Sequence, residues 1–141
     1  MTWFTEATAR TTARPEDIWR LWTDVAGWRR WDDGVASSDL DGAFVVGARG
    51  WLKPTAGPTT RFVLTHVETH AAFTNRSTLP LTTLDFLHTV QRDGTDTVIV
   101  HRVEMRGPLS FLFRRLIGAS IARGLPAVVA RLARVAEGTA K

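Results

Sequence analysis

A chain of 141 residues is long enough for one domain with its own core, and 44% hydrophobic against 23% charged residues excludes a disordered or linker-rich architecture. The absence of cysteine excludes disulfides, thiol nucleophiles and cysteine-held metals. A net charge of +4 invites nucleic acid or anionic membrane as partners. The basic residues, however, are scattered from Arg10 to Arg134, mostly near acids, with no phosphate loop or aromatic platform, so no nucleic-acid partner is expected.

The opening Met1-Thr2-Trp3-Phe4-Thr5-Glu6 has neither a basic start nor an apolar core of signal-peptide length. No stretch approaches the roughly 20 apolar residues of a bilayer span. A cytoplasmic protein without stable membrane insertion is expected. Residues 2–12 have β-forming character and predict a first strand. Arg14-Pro15-Glu16-Asp17 then starts a helix, because Pro15 near the first turn gives up an N–H that has no partner there and the two acids suit the helix dipole. Ile18, Trp19, Leu21 and Trp22 follow at helical spacing, and Thr23 or Asp24 caps a second short helix over Val25–Trp31.

Short strand-like segments come next: Val35–Leu40, Phe44–Val46 with Arg49–Lys53, Thr60–Thr69, Ala72–Thr78 and Leu81–Gln91. The clearest hairpin joins Leu84–Gln91 to Thr97–Met105 through Asp93-Gly94, a dipeptide suited to the positive φ of tight turns. Six or seven antiparallel strands are predicted. Gly107-Pro108 ends the last, and a helical pattern runs from Leu109 to about Ala136. Phe113, Ile117, Ile121, Gly124, Val128, Leu132 and Val135 give it one apolar face, while Pro126 is expected to bend or split it. After Glu104 the only acid is Glu137, against six arginines, which predicts a solvated helix face or an anionic membrane contact. The apolar segment Gly107–Leu116 suits either one buried face with a partner subunit on the other, as in a homodimer, or an interfacial helix start.

Four stretches together resemble a known superfamily. They are Arg14-Pro15-Glu16-Asp17-Ile18-Trp19 after the opening strand, the paired tryptophans of Asp24-Val25-Ala26-Gly27-Trp28-Arg29-Arg30-Trp31-Asp32, Gly94-Thr95 before the last strand, and Arg106-Gly107-Pro108-Leu109 after it. In order and spacing, over essentially the whole chain, they resemble the SRPBCC superfamily of START lipid-binding domains, polyketide cyclases/dehydrases and Bet v 1-like allergens, and within it the bacterial polyketide cyclase/dehydrase-like members. The resemblance implies an α+β helix-grip fold over residues 1–141: a curved antiparallel sheet wrapped around a long C-terminal helix, with two short helices after the first strand. It further implies an internal cavity between sheet and helix, and it transfers no catalytic residue.

The histidines His66, His70, His88 and His101 show no metal-ligand spacing, so no metal or cofactor is expected. Strict alternation puts Leu84, Phe86, His88 and Val90 on one strand face and Ile99, His101, Val103 and Met105 on another. If both faces look toward the helix, His88 and His101 lie at the cavity. There they are either general acid or base candidates near neutral pH or polar handles bonded to neighbouring groups. Asp85 and Glu104 fall on the opposite faces, where pairing with Arg102 or Arg106 is expected. Arg61 and Arg76 have no fixed direction from sequence, and either one is able to hold an acidic ligand group. Trp28 and Trp31 either pack in the core or wall one end of the pocket.

The expected ligand wall comprises Trp28, Trp31, Phe86, His88, His101, Val103, Met105, Phe113, Ile117, Ile121 and Gly124, with a gap opening near Gly124 and Pro126. Such a wall predicts binding of a hydrophobic or aromatic, lipid- or polyketide-like small molecule. A cofactor-free cyclase or dehydrase using His88 or His101 is the enzymatic alternative, although the absence of tyrosine removes one acid/base group that such chemistry uses. An interaction protein with a vestigial cavity is the third reading.

Overall fold

Apolar–polar alternation in the middle of the chain becomes one curved antiparallel sheet in the computed structural model, which describes residues 2–139. Among these, seven strands form it: β1 (Thr2–Thr11), β2 (Val35–Asp41), β3 (Arg49–Pro54), β4 (Thr60–Glu68), β5 (Ala72–Leu79), β6 (Thr82–Asp93) and β7 (Asp96–Arg106). Their order is β1-β7-β6-β5-β4-β3-β2, a meander closed by the first strand pairing with the last. The β1–β2 connection carries helix α1 (Pro15–Thr23) and a 3₁₀ helix (Val25–Arg30). The chain ends in α2 (Ser110–Phe113), a π-helical stretch (Arg114–Gly118) and α3 (Ala119–Thr139).

The register decides which residues face inward. Ser77, Leu84, Met105 and Trp3 form one row across β5, β6, β7 and β1. Asn75, Phe86, Val103 and Thr5 form the next, and Phe73, His88, His101 and Ala7 the one beyond it. These rows face α1 and the C-terminal helix, and they hold the core. The opposite face carries the charges, as alternation requires. Arg76 forks onto Asp85 at 2.7 and 3.0 Å, and Glu104 accepts from Arg102 at 2.6 Å and Arg106 at 2.8 Å. The hydrogen bond from Arg102, helped by Arg106, holds the Glu104 carboxyl below its ordinary range. Asp85 and Glu104 sit directly opposite each other in the ladder, so the arginines also offset a like-charge contact.

Helix α1 forms where the sequence predicts it. The Asp17 carboxylate accepts the Arg14 backbone N–H at 3.0 Å, and Ile18, Trp19, Leu21 and Trp22 are buried. Asp24 precedes the 3₁₀ helix without capping it; its carboxylate takes Arg30 at 3.0 Å instead. Phe44–Val46 is not a strand. It lies in the bend between β2 and β3, between Gly42 and Gly47 at positive φ, with the Phe44 ring against Trp19 and Phe73.

The terminal helix departs from expectation in three respects. Ser110–Gly138 is long and apolar enough, by length and composition, to cross a membrane; here Leu125, Val129, Leu132 and Ala136 are buried against β1, β7 and α1, which makes it the core helix of the fold. Pro126 does not split it: α3 runs through that position with the proline on the exposed side. The irregular turn falls instead at the π-helical stretch, where Gly118 is buried against the Trp3 ring.

Candidate functional site

The strands β3 to β6 enclose an open cleft of about 1020 Å³. From the core face it is lined by Phe62, Asn75, Ser77, Leu79, Leu84 and Phe86. The sequence places polar residues at two successive inward positions of β5, between Phe73 and Leu79, so the core-facing wall carries two polar points, while Asp41, Arg49, Arg61 and Arg76 add charge around the cleft. The Asn75 Oδ1 is buried and has no hydrogen-bond partner among the described residues. Gly50, opposite Phe62 in the ladder, leaves the space that the Phe62 ring fills. A second, shallower hollow between the β5–β6 turn and Gly107 holds about 400 Å³. It is lined by Leu79, Leu81, Gly107 and the buried Thr82, whose Oγ1 has no hydrogen-bond partner among the described residues.

Of the residues expected to line a pocket, Phe86 lines this cleft. Trp28 backs it indirectly: its ring stacks on Phe62 at 5.5 Å, and its Nε1–H donates to the Trp22 carbonyl at 2.9 Å. Val103 and Met105 are buried in a cluster with Leu84 and Leu125, against which Phe113, Ile117 and Ile121 pack half-buried. Gly124 is exposed, and a methyl group added there would meet nothing within 4 Å. The cleft is therefore walled by strands, with Leu84 and Phe86 separating it from the helix. Arg61 and Arg76, the two arginines whose direction the sequence left open, both border the cleft; Arg76 is held by Asp85, and Arg61 is exposed.

One row beyond Phe86, His88 and His101 oppose each other across β6 and β7 with ring centroids 4.6 Å apart. His88 stacks flat on Phe73 at 3.9 Å and its Nδ1–H points to the Phe73 carbonyl at 3.3 Å. Trp22 covers both imidazoles, and Trp31 packs edge-on to His101. Burial pushes the His88 pKa down to about 3, with carbonyls of Phe73 and Phe86 opposing the shift; burial and then His88 hold His101 well below its ordinary value. Both rings are thus neutral at physiological pH. Among the described residues, no three His, Asp or Glu side chains gather as a metal site.

Sequence reasoning missed Phe62, Asn75 and Ser77. The signal for the last two was present, since an amide and a hydroxyl interrupt an inward-facing alternation that begins with Phe73. Phe62 needed the register of β4, which a bulge between Leu64 and His66 shifts.

Solved structures of the same shape include the Zhui aromatase/cyclase of Streptomyces sp. R1128, at 14% identity and TM-score 0.80 over 100% of this chain and 97% of that one. The di-domain aromatase/cyclase StfQ of the steffimycin biosynthetic pathway aligns at 13% identity and TM-score 0.81, over 99% of this chain and 52% of that one. Norcoclaurine synthase from Thalictrum flavum, in complex with dopamine and hydroxybenzaldehyde, aligns at 15% identity and TM-score 0.73, over 98% and 88%. At such identities the likeness is one of fold, the helix-grip fold. No curated protein sequence matches the chain. Residues 3–137 match the family described as polyketide cyclase / dehydrase and lipid transport, and the chain belongs to that family.

Proposed function

We propose that this protein binds a hydrophobic or aromatic small molecule, lipid- or polyketide-like, in the cleft between β3 and β6. The observation that carries the reading is the cleft itself: about 1020 Å³ with Phe62, Leu84 and Phe86 as apolar surface, and one buried, unpartnered amide oxygen on Asn75. That volume accommodates a drug-sized ligand. Burial supplies the affinity, and Asn75 with Ser77 orients a ligand that carries one or two polar atoms. The family assignment supports the same class of ligand.

The test is a panel of fatty acids, sterols and aromatic polyketides titrated into the intact chain, with Ser77→Phe as a variant whose ring occupies the cleft. Saturable binding by the wild type, lost in Ser77→Phe at unchanged fold, is the expected result. No saturable binding across the panel would refute the reading and leave the interaction-protein alternative in front.

A second reading, a cofactor-free cyclase or dehydrase, draws on the aromatase/cyclase neighbours and on the buried His88–His101 pair one row of the sheet beyond Phe86. A neutral imidazole there is a base, not an acid. Turnover of a poly-β-ketone substrate that disappears in both His88→Phe and His101→Phe, while binding persists, would establish it.

A further inference from the structure

Three buried ring nitrogens around His101 have no hydrogen-bond partner among the described residues: Trp22 Nε1, Trp31 Nε1 and His101 Nε2. Their side chains are 0%, 3% and 4% exposed. Both indoles pack on the same imidazole, with ring centroids 5.9 and 5.8 Å from it. The neighbouring Trp28 shows that the fold is able to satisfy an indole here, since its N–H reaches the Trp22 carbonyl. Leaving three such groups unpaired costs free energy at each of them, so each calls for a polar partner, and the packing of both indoles on one imidazole brings the three into one neighbourhood.

The chemistry of the three groups selects the partner. Each indole offers one N–H and accepts nothing. His101 is neutral, and its Nε2 is an acceptor when the ring proton sits on Nδ1. Two donors and one acceptor match an oxygen that accepts twice and donates once, which a hydroxyl does and an ether, a carbonyl or an ammonium does not. His101, on which both indoles pack, lies one row of the sheet beyond Phe86 and Asn75, which line the cleft, roughly 6–7 Å along the strands.

We propose that Trp22, Trp31 and His101 form a binding site for one hydroxyl oxygen one row of the sheet beyond the cleft, contributed by water in the free protein and by the alcohol or phenol end of the ligand in the complex. The ligand half of this statement rests on the proposed cleft function; the site itself does not. Trp22 and Trp31 then act as specificity residues, distinguishing hydroxyl-tipped apolar molecules from plain hydrocarbons by the loss of unpaired donors on binding.

Two experiments separate the halves. In heteronuclear NMR of the free protein, the indole protons of Trp22 and Trp31 are expected to show cross-relaxation with a bound water, and His101 to show an Nδ1-protonated neutral ring. Indole protons without water contact, or a His101 ring protonated at Nε2, would overturn the site whatever the cleft binds. In the second experiment, naphthol and methylnaphthalene, nearly equal in shape, are titrated into wild type, Trp31→Phe, His101→Phe and His101→Gln. The affinity ratio of naphthol to methylnaphthalene is expected to fall by roughly 2- to 12-fold in Trp31→Phe and His101→Phe, and to recover in His101→Gln, whose amide supplies an acceptor near the Nε2 position. A ratio unchanged in all three variants would overturn the ligand half and assign the oxygen to water alone. Failure of both probes to bind would sink the cleft reading, with the NMR result still deciding the site.

Discussion

His88 and His101 pack ring against ring inside an aromatic shell of Trp22, Trp31 and Phe73, and this burial couples the stability of the fold to pH. In the native state both rings stay neutral well below the ordinary histidine value of 6.5, at which they titrate in the unfolded chain. As pH falls through about 6.5, the unfolded chain takes up protons that the native state refuses, so stability drops with falling pH by up to about 1.4 kcal/mol per unit for each ring. For His88 this continues to about pH 3. Glu104, whose pKa is depressed, adds its own loss only as pH falls through the carboxylate range below 4.5. Urea unfolding between pH 7 and pH 5 is expected to show the histidine slope, shallower in His88→Phe; an identical slope in both proteins would contradict the neutral pair. Gly107 is a second decisive residue. Its φ is +127°, and a Cβ there would run into the Leu81 carbonyl oxygen with Thr82 Cα only 3.0 Å away. Gly107→Ala should therefore lower stability by about 1–3 kcal/mol in thermal or urea unfolding.

Among the elements, strands were the most legible. Alternation separated Leu84, Phe86 and His88 from Asp85, and His101, Val103 and Met105 from Glu104, but left open whether the histidine faces look inward; the burial of Leu84, Val103 and Met105 fixes that. The helix was read less well. From Ile121 a helical step of three lands on Gly124 and a step of four on Leu125, and both satisfy a 3.6-residue period. The protein takes the step that buries the larger side chain, so the line continues through Leu125, Val129, Leu132 and Ala136, while Gly124 faces solvent. This yields a paired prediction. Leu132→Ala, at a fully buried position, should cost about 2–5 kcal/mol, whereas Gly124→Ala should stabilise by about 0.5–1 kcal/mol, since the exposed helical site has room for the methyl group. Measured melting curves with the opposite order would mean that the helix is rotated from the packing described.

For the whole molecule, the order of elements and the family motifs predicted the helix-grip fold, but the location of the cleft was not readable from the chain. It depends on how far the terminal helix covers the sheet. With Phe113, Ile117 and Ile121 packed over β1, β7 and β6, the surface over β3 to β6 is what remains open, and its lining comes from strands whose register a bulge in β4 resets. Phe62 becomes visible as a site residue only once that register is known, whereas the polar pair Asn75 and Ser77 already interrupts the β5 alternation in the sequence. The most direct test follows the intact chain by NMR during titration with phenols of lengthening alkyl chain. The account predicts saturating shifts centred on Phe62, Asn75, Ser77 and Phe86, with affinity rising by up to ~0.8 kcal/mol per added CH₂ until the cleft is full. Affinity that stays flat along the series, with shifts scattered over exposed residues, would contradict it.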